Sequence, residues 1–482
     1  MTPDFPLRAE GFAGHLRRLR ARTASLHQFE ALFAPWVAHW RLAQQDEGAP
    51  SRDRCWNLRL VFWTFLWQVA QAGAACREAI RQAPALALPQ GRRPPPDTPS
   101  PYCQARSALP VARLQEIHDG LVREADEAVA AKDWWCGRHV FVVDGTSLTA
   151  PDTPENQAAF PQQSVPQPGC GFPIIRLVAL LSLATGWLTA WATGYWQQHE
   201  LGLLQTLWEQ LRPGDVLLGD RGCCNWGLLA QCLHYQIAAV FRVKGSRRRD
   251  FRQGQRLSRH ERLVQWPKPS CPARTVRPAL LARLPAVLPL RLVRCQLHIP
   301  GFRTRQVLLV TTLLEATLYP PAALGQIYYR RWAMELTLRN IKITLQMDQL
   351  SGKTPENLER AIRRHLLMHN LVRRVMLAAA RCHRVPLERI SFAGSLAAAR
   401  RYAEALLQAR SASARKRLLE ELFRVIAADL VPERPGRREP RAVKRRPKPY
   451  PRLTCQRHRF RELPHPSRYR KSGSGNAAKS RA

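Results

Sequence analysis

Acidic residues are scarce in this 482-residue chain: 36 Asp plus Glu stand against 75 Lys plus Arg, a formal net charge of +39. Such an excess points to a polyanionic partner, of which nucleic acid is the commonest. Metal-binding cysteine patterns are also missing. The 12 cysteines are scattered, with no CxxC pair and no Cys/His array at zinc spacing. They read as reduced thiols packed in a cytoplasmic protein, and the adjacent Cys223 and Cys224 carry no ligand signature. The first twenty residues are charged and hold no apolar run of the secretory type. No stretch reaches the roughly 20 uninterrupted apolar residues of a membrane span. Leu58 to Ala75 contains Arg59 and Gln68, and Ile174 to Trp196 contains Arg176 and an Ala184-Thr185-Gly186 turn. Both read as buried core, and the expectation is a soluble, cytoplasmic protein that does not engage a membrane. No internal repeat is present.

What is there reads as an α/β chain in five parts. Residues 1–132 form an N-terminal helical, DNA-binding region, with Phe12, Leu16, Leu19, Leu26, Phe29 and Phe33 at helical spacing. A Pro-rich linker over residues 90–101 interrupts it, and a further helix runs from Ser107 to Lys132. Residues 133–244 begin the catalytic core. Within them Val140–Asp144 reads as a buried strand ending at an acid, and Leu177–Leu183 with Trp187–Ala192 as a hairpin. Asp215–Asp220 is a second buried strand ending at an acid, and Ala238–Val243 a fifth strand. Helices are expected at His199–Leu211 and Asn225–His234. Residues 245–320 form a β-rich insertion with strands at Leu290–Ile299 and Gln306–Thr312. Residues 321–430 carry a long series of helices. Residues 431–482 hold 17 Lys/Arg and three acids, a composition that cannot bury a core. It predicts a disordered arm that binds phosphates non-specifically.

The most informative pattern is Tyr328-x2-Arg331-x3-Glu335-x6-Lys342. At about 100° per residue, the tyrosine, arginine and lysine all fall within about 40° of Glu335 on one helical stripe. Taken alone, Arg331 and Glu335 are most simply a solvated i,i+4 pair. Asp144 and Asp220 change that balance, because acids at strand ends in one sheet converge and a packed helix supplies a third. Three carboxylates without a Cys or His array suit Mg²⁺ or Mn²⁺, two of which activate an attacking oxygen and stabilise the leaving oxygen of a phosphodiester.

These residues resemble a known family. Asp144 in Val142-Val143-Asp144-Gly145-Thr146, Asp220 in Leu218-Gly219-Asp220-Arg221-Gly222 and the spaced Tyr/Arg/Glu/Lys helix are similar to the DDE transposases of bacterial insertion sequences. The matching group is the one with the YREK signature, the "IS-four" family. Gly194 to Glu200, Lys353 to Glu356, Tyr102-Cys103 with Arg106, and Arg438 to Arg446 extend the likeness over nearly the whole chain. The resemblance implies a ribonuclease H-like catalytic core interrupted by a β-rich insertion. It implies cut-and-paste transposition: metal-dependent cleavage at element ends and joining of their 3′ hydroxyls to target DNA. Asp144, Asp220 and Glu335 would be catalytic and hold two Mg²⁺, for which Mn²⁺ may substitute. Tyr328, Arg331 and Lys342 would contact double-stranded DNA, at terminal inverted repeats and at the target. A homodimer follows from the need to pair two ends, in a nucleoid-associated protein. Relatives that pass through hairpin ends use an aromatic in the insertion, and Trp266 is the one tryptophan in residues 245–320; core packing is the simpler use of it. Cys223 and His369-Asn370 depart from the residues common in the family. His199 and Glu200 read as helix N-terminal packing rather than acid–base groups.

Two other functions are compatible with parts of this pattern: an inactive or domesticated DNA-binding relic of a transposase, and a metal-dependent nuclease that cuts without joining. The complete set of acids disfavours the first, and the basic flanks disfavour the second. A ribosomal or DNA-packaging protein would share the charge but lack the ordered acids.

Overall fold

A computed structural model describes residues 32–33, 37, 56–71, 74–84, 94–127, 129, 133–161, 172–245, 251–270, 276–297, 306–348, 350–409 and 411–432. The helical pattern at Phe12 to Phe29, residues 90–93 of the linker and the basic segment 433–482 lie outside the described residues. The first helices are α1 (Leu58–Ala70), α2 (Cys76–Gln82), α3 (Pro99–Ser107) and α4 (Val111–Glu127). Asn57 caps α1 by accepting the Leu60 N–H at 2.9 Å. Eleven of the residues of α1 are buried, so the apolar run around it is core. The end of the Pro-rich segment enters a helix only at its start, where Pro99 opens α3. Pro99 and Pro101 fall in its first turn, where backbone N–H groups have no intrahelical acceptor to lose.

The central strands and helices alternate. They are β1 (Val140–Thr149), α5 (Pro154–Ala159), β2 (Ile174–Ser182), β3 (Leu188–Tyr195), α6 (Glu200–Leu204, continued as a 3₁₀ turn to Gln210), β4 (Val216–Gly219), α7 (Trp226–His234) and β5 (Ala238–Arg242). Next come β6 (Gln255–Ser258), β7 (Glu261–Pro267), α8 (Pro278–Leu281), β8 (Val287–Gln296) and β9 (Gln306–Thr311). The chain then turns helical through α9 (Pro321–Arg330), α10 (Trp332–Arg339), a π-helical turn (Asn340–Thr344), α11 (Pro355–His383), α12 (Phe392–Gln408) and α13 (Ala412–Ala428).

Among the described residues, nine strands join one mixed sheet in the order β3-β2-β1-β4-β5-β9-β8-β7-β6. Strands β1, β4 and β5 are parallel, while on one side β2 pairs antiparallel to β1 and β3 antiparallel to β2, and on the other β9 pairs antiparallel to β5. Val140–Val143 and Val216–Gly219 are buried throughout, as continuous apolar strands covered on both faces must be. One face packs on α9, α10 and the start of α11, and the other on α6 and α7. A third core joins α1–α4 to the rest of α11, α12 and α13. The 29-residue α11 therefore serves two cores. Thr354 caps it, Pro355 opens it, and Arg384 ends it in the left-handed conformation at φ 55°.

Several strand bounds shift by a few residues from expectation, β8 to Val287–Gln296 among them, and one shift bears on the site. β1 does not stop at Asp144 but pairs with β2 as far as Thr149↔Ile174. Only its parallel pairing with β4 ends early, at Val142↔Leu218.

Candidate active site

The two aspartates owe their placement to that register. Two residues beyond Val142↔Leu218, Asp144 and Asp220 stand level on neighbouring strands. Strand alternation turns both toward the face that also buries Val142 and Leu218 beside Tyr328, Met334 and Leu338. Each is fixed by a glycine amide. The Gly145 N–H donates to Asp144 Oδ1 at 2.8 Å, and the Gly222 N–H to Asp220 Oδ1 at 2.7 Å. Gly145 also allows a close approach from the opposite face, where a Cβ would meet the Glu200 carboxyl carbon at 2.7 Å. Glu200 thus packs under the site, 3.9 Å from Arg176. His199 precedes α6 and makes no side-chain cap bond.

The spaced tyrosine, arginine, glutamate and lysine do not lie on one regular helix. Arg331 is the junction between α9 and α10, and Lys342 sits in the π-helical turn. The near-helical junction still brings the first three together. Arg331 Nη2 donates to Glu335 Oε1 at 2.6 Å, Nη1 lies 3.6 Å from Asp144 Oδ2, and the guanidinium is 5.9 Å from the Tyr328 ring centre. Lys342 instead bonds to β1, donating to Thr146 Oγ1 at 3.2 Å and to the Ser147 carbonyl at 3.0 Å. Lys342, within the π turn, thus lies along the strand that carries Asp144.

Crowding of like charge shapes the electrostatics. Burial pushes the Asp144 carboxyl up to about 6, the Gly145 amide and Arg331 oppose the rise, and Asp220 and Glu335 add to it. Burial works against the charge of Arg331, but Tyr328, Glu335 and Asp144 together hold its pKa above the usual value. Burial raises the Tyr328 hydroxyl, opposed by Arg331 and Arg242. Cys223 is buried against Gly219 beside Asp220. Burial and the two aspartates push its thiol upward, which makes it unreactive.

Sequence reasoning missed Arg242, which with Tyr328, Tyr329, Arg331 and Trp332 lines a small pocket of about 40 Å³ next to the acids. The signal was available: Arg242 ends β5 at the same edge where Asp220 follows β4, and ligands of α/β sheets gather at the carboxyl ends of parallel strands. Trp332 is 42 % exposed on the same helix as Glu335. A cleft of about 1050 Å³ opens at the opposite, amino ends of β1 and β4, lined by Arg138, His139 and Asp215 among others. Cleft size alone would therefore point away from the acids. Trp266 is 2 % exposed and belongs to the core under α7. His369 and Asn370 are buried in α11, where the Asn370 side chain bonds both the N–H and the carbonyl of Leu188.

Among the described residues, no three His, Cys, Asp or Glu side chains stand ready to close on one metal ion. The donor set that does gather is all-carboxylate, which suits hard divalent cations. Arg331 already supplies positive charge to two of its members. The residues present fit such ions once that guanidinium moves.

Three comparisons bear on this geometry. The family model "Transposase DDE domain" matches residues 135–371, a span that begins just before β1 and ends within α11. The transposase InsG for insertion sequence element IS4 of Escherichia coli (strain K12) is 28% identical over 410 residues, covering 83% of this chain and 88% of that protein. The cryo-EM structure of the piggyBac transposase synaptic complex with hairpin DNA aligns over 87% of this chain and 88% of that one, at 10% identity and a TM-score of 0.40. That likeness is too remote to define the fold family. No helix among the described residues is long and apolar enough to cross a membrane.

Proposed function

The chain belongs to the DDE transposases of the IS4 family, and from that premise we propose that it cleaves the ends of its own element and joins their 3′ hydroxyls to target DNA. The observation that carries this reading is the convergence of Asp144, Asp220 and Glu335 at the carboxyl edge of the parallel strands, with Arg331 touching two of them. The three acids would hold two divalent ions, Mg²⁺ or Mn²⁺. When bound, these ions supply activation of the attacking oxygen and stabilisation of the leaving oxygen.

The remaining roles belong to the chain's own groups. Gly145 and Gly222 hold one oxygen of each aspartate and so fix its orientation. Tyr328 offers a flat face beside the acids, while Arg331 and Lys342 grip phosphates and set the register of the strand on the protein. We read Arg242 as a further cation on that path. Strands β1–β5 with their helices would form the ribonuclease H-like core, and residues 245–320 an insertion added along β5. That reading is supported by the block β3-β2-β1-β4-β5 at one side of the sheet. The strongly basic composition suits double-stranded DNA, and pairing of two ends calls for a homodimer.

The test is a reaction of purified protein with DNA carrying the gene's own flanking ends in Mg²⁺ or Mn²⁺. Joined products that vanish in Glu335→Gln support the proposal. Cleavage without any joining would move the assignment to a nuclease, and binding with neither would indicate a relic.

A further inference from the structure

This inference rests on the reading of Asp144, Asp220 and Glu335 as the metal-holding set. Arg331 lies between two of those acids, with Nη2 at 2.6 Å from Glu335 Oε1 and Nη1 at 3.6 Å from Asp144 Oδ2. Its side chain is 15% exposed, whereas that of Glu335 is 36% exposed, so the pair sits at a half-open edge rather than in a closed core. A guanidinium there does part of what a divalent ion would do: it neutralises two carboxylates that would otherwise repel each other and Asp220. It cannot shed its proton to make way, so it leaves the acids only by moving.

We propose that Arg331 is a built-in stand-in for the metal, holding Asp144 and Glu335 in the DNA-free protein and releasing them when a DNA phosphate draws its guanidinium away. A phosphodiester offers the same two-pronged acceptor geometry as a carboxylate. The exchange therefore keeps the arginine paired while it frees two acids. Lys342 is no substitute in this role, because it is bonded along β1 to Thr146 and Ser147. Metal affinity is then low without DNA and rises with it, and by linkage the metal strengthens DNA binding by the same factor. Cutting is thereby restricted to protein already seated on DNA.

The test measures Mn²⁺ binding to the full chain by titration calorimetry and by the Mn²⁺ spin-resonance signal, with no turnover required. Wild type, Arg331→Ala and Arg331→Met are compared without DNA and with a duplex of the gene's flanking sequence. Arg331→Met keeps an unbranched stem beside Tyr328, so it guards against misfolding of the alanine variant. The expected result is Mn²⁺ binding at least tenfold tighter in both variants than in wild type when DNA is absent. The duplex should tighten binding to wild type far more than to either variant. Equal or weaker Mn²⁺ binding in the variants, lost in Glu335→Gln, would overturn the stand-in role while leaving the acids as the metal site. Mn²⁺ binding indifferent to Asp144→Asn and Glu335→Gln would remove the metal assignment itself, and the stand-in role with it.

Discussion

Two arginines, Arg291 in β8 and Arg331 between α9 and α10, each bond a glutamate, yet their surroundings differ in one decisive respect. Arg291 is fully buried. It pairs with Glu261 and donates to the carbonyls of Tyr319 at 2.9 Å, Leu313 at 3.4 Å and Glu315 at 3.5 Å. These carbonyls belong to the segment that leads from β9 into α9, so the pair ties the strands of residues 255–311 to the start of the site helices. Arg331 also has a close glutamate, but its other partners are a second carboxylate and an aromatic face at an open edge. The Arg291 guanidinium is locked by acceptors that nothing from outside can replace. The one at Arg331 is held by carboxylates at an open edge, and the negative charge of a phosphate would serve it equally well. Ion pairing by itself separates scaffold from site poorly; the character and exposure of the remaining partners separate them well.

The sharpest way to break this comparison is at the open end. Glu335→Gln should reduce strand cleavage and joining by more than the ~10–100-fold that loss of an outer-shell partner costs. It should leave thermal unfolding nearly unchanged, a pairing that end-joining assays and calorimetry would check. At the closed end, Arg291→Met strands Glu261 in the core. It should lower stability by about 3–5 kcal/mol, and adding Glu261→Leu should restore most of that loss. Urea denaturation of the two variants beside Arg331→Met, expected to cost no more than about 1 kcal/mol, measures the contrast directly.

A third expectation concerns pH. The Asp144 carboxyl is raised from an ordinary 3.8 to about 6 in the fold, so the folded chain binds more protons than the unfolded chain between those values. Stability of the metal-free protein then falls as pH rises through that window. Asp144→Asn should remove this loss, stabilising the protein by on the order of 2 kcal/mol at pH 7.5 and by little at pH 4. Unfolding midpoints of both proteins across that range would show it, and a parallel pair of curves would refute it. The smallest effect is expected from Lys342→Ala. DNA affinity should weaken evenly across sequences, with the salt slope reduced by about 1.

The site was legible where its signal was local. Asp144 and Asp220 follow short apolar runs, and the spacing of Arg331 and Glu335 places them one helical turn apart in any helix. What depends on distant pairing was not legible. The end of β1 was misplaced because β2, its partner for all but the first of its residues, lies more than twenty residues along the chain. The merging of β6–β9 into the same sheet rests on β5 pairing with β9 across Val240↔Thr311, which no local pattern encodes. The π turn over Asn340–Thr344 was hidden because its residues are compatible with an ordinary helix. Arg242 ends β5, but in a chain with 75 Lys plus Arg a lone arginine at a strand end carries no local signature of a site.

The position of β6 at the outer edge of the sheet bears on how the molecule behaves in a crowded cell. It is four residues long, and Gln255, Arg256 and Leu257 are exposed. A short rim bearing an arginine is a poor template for strand addition by another chain. Trimming the protein back to β9 would replace that rim with a six-residue strand whose Val307, Leu309, Val310 and Thr311 are normally buried. A minimised version lacking residues 255–296 should therefore clump through its bared backbone, so the outer strands act as the molecule's guard against sticking to itself.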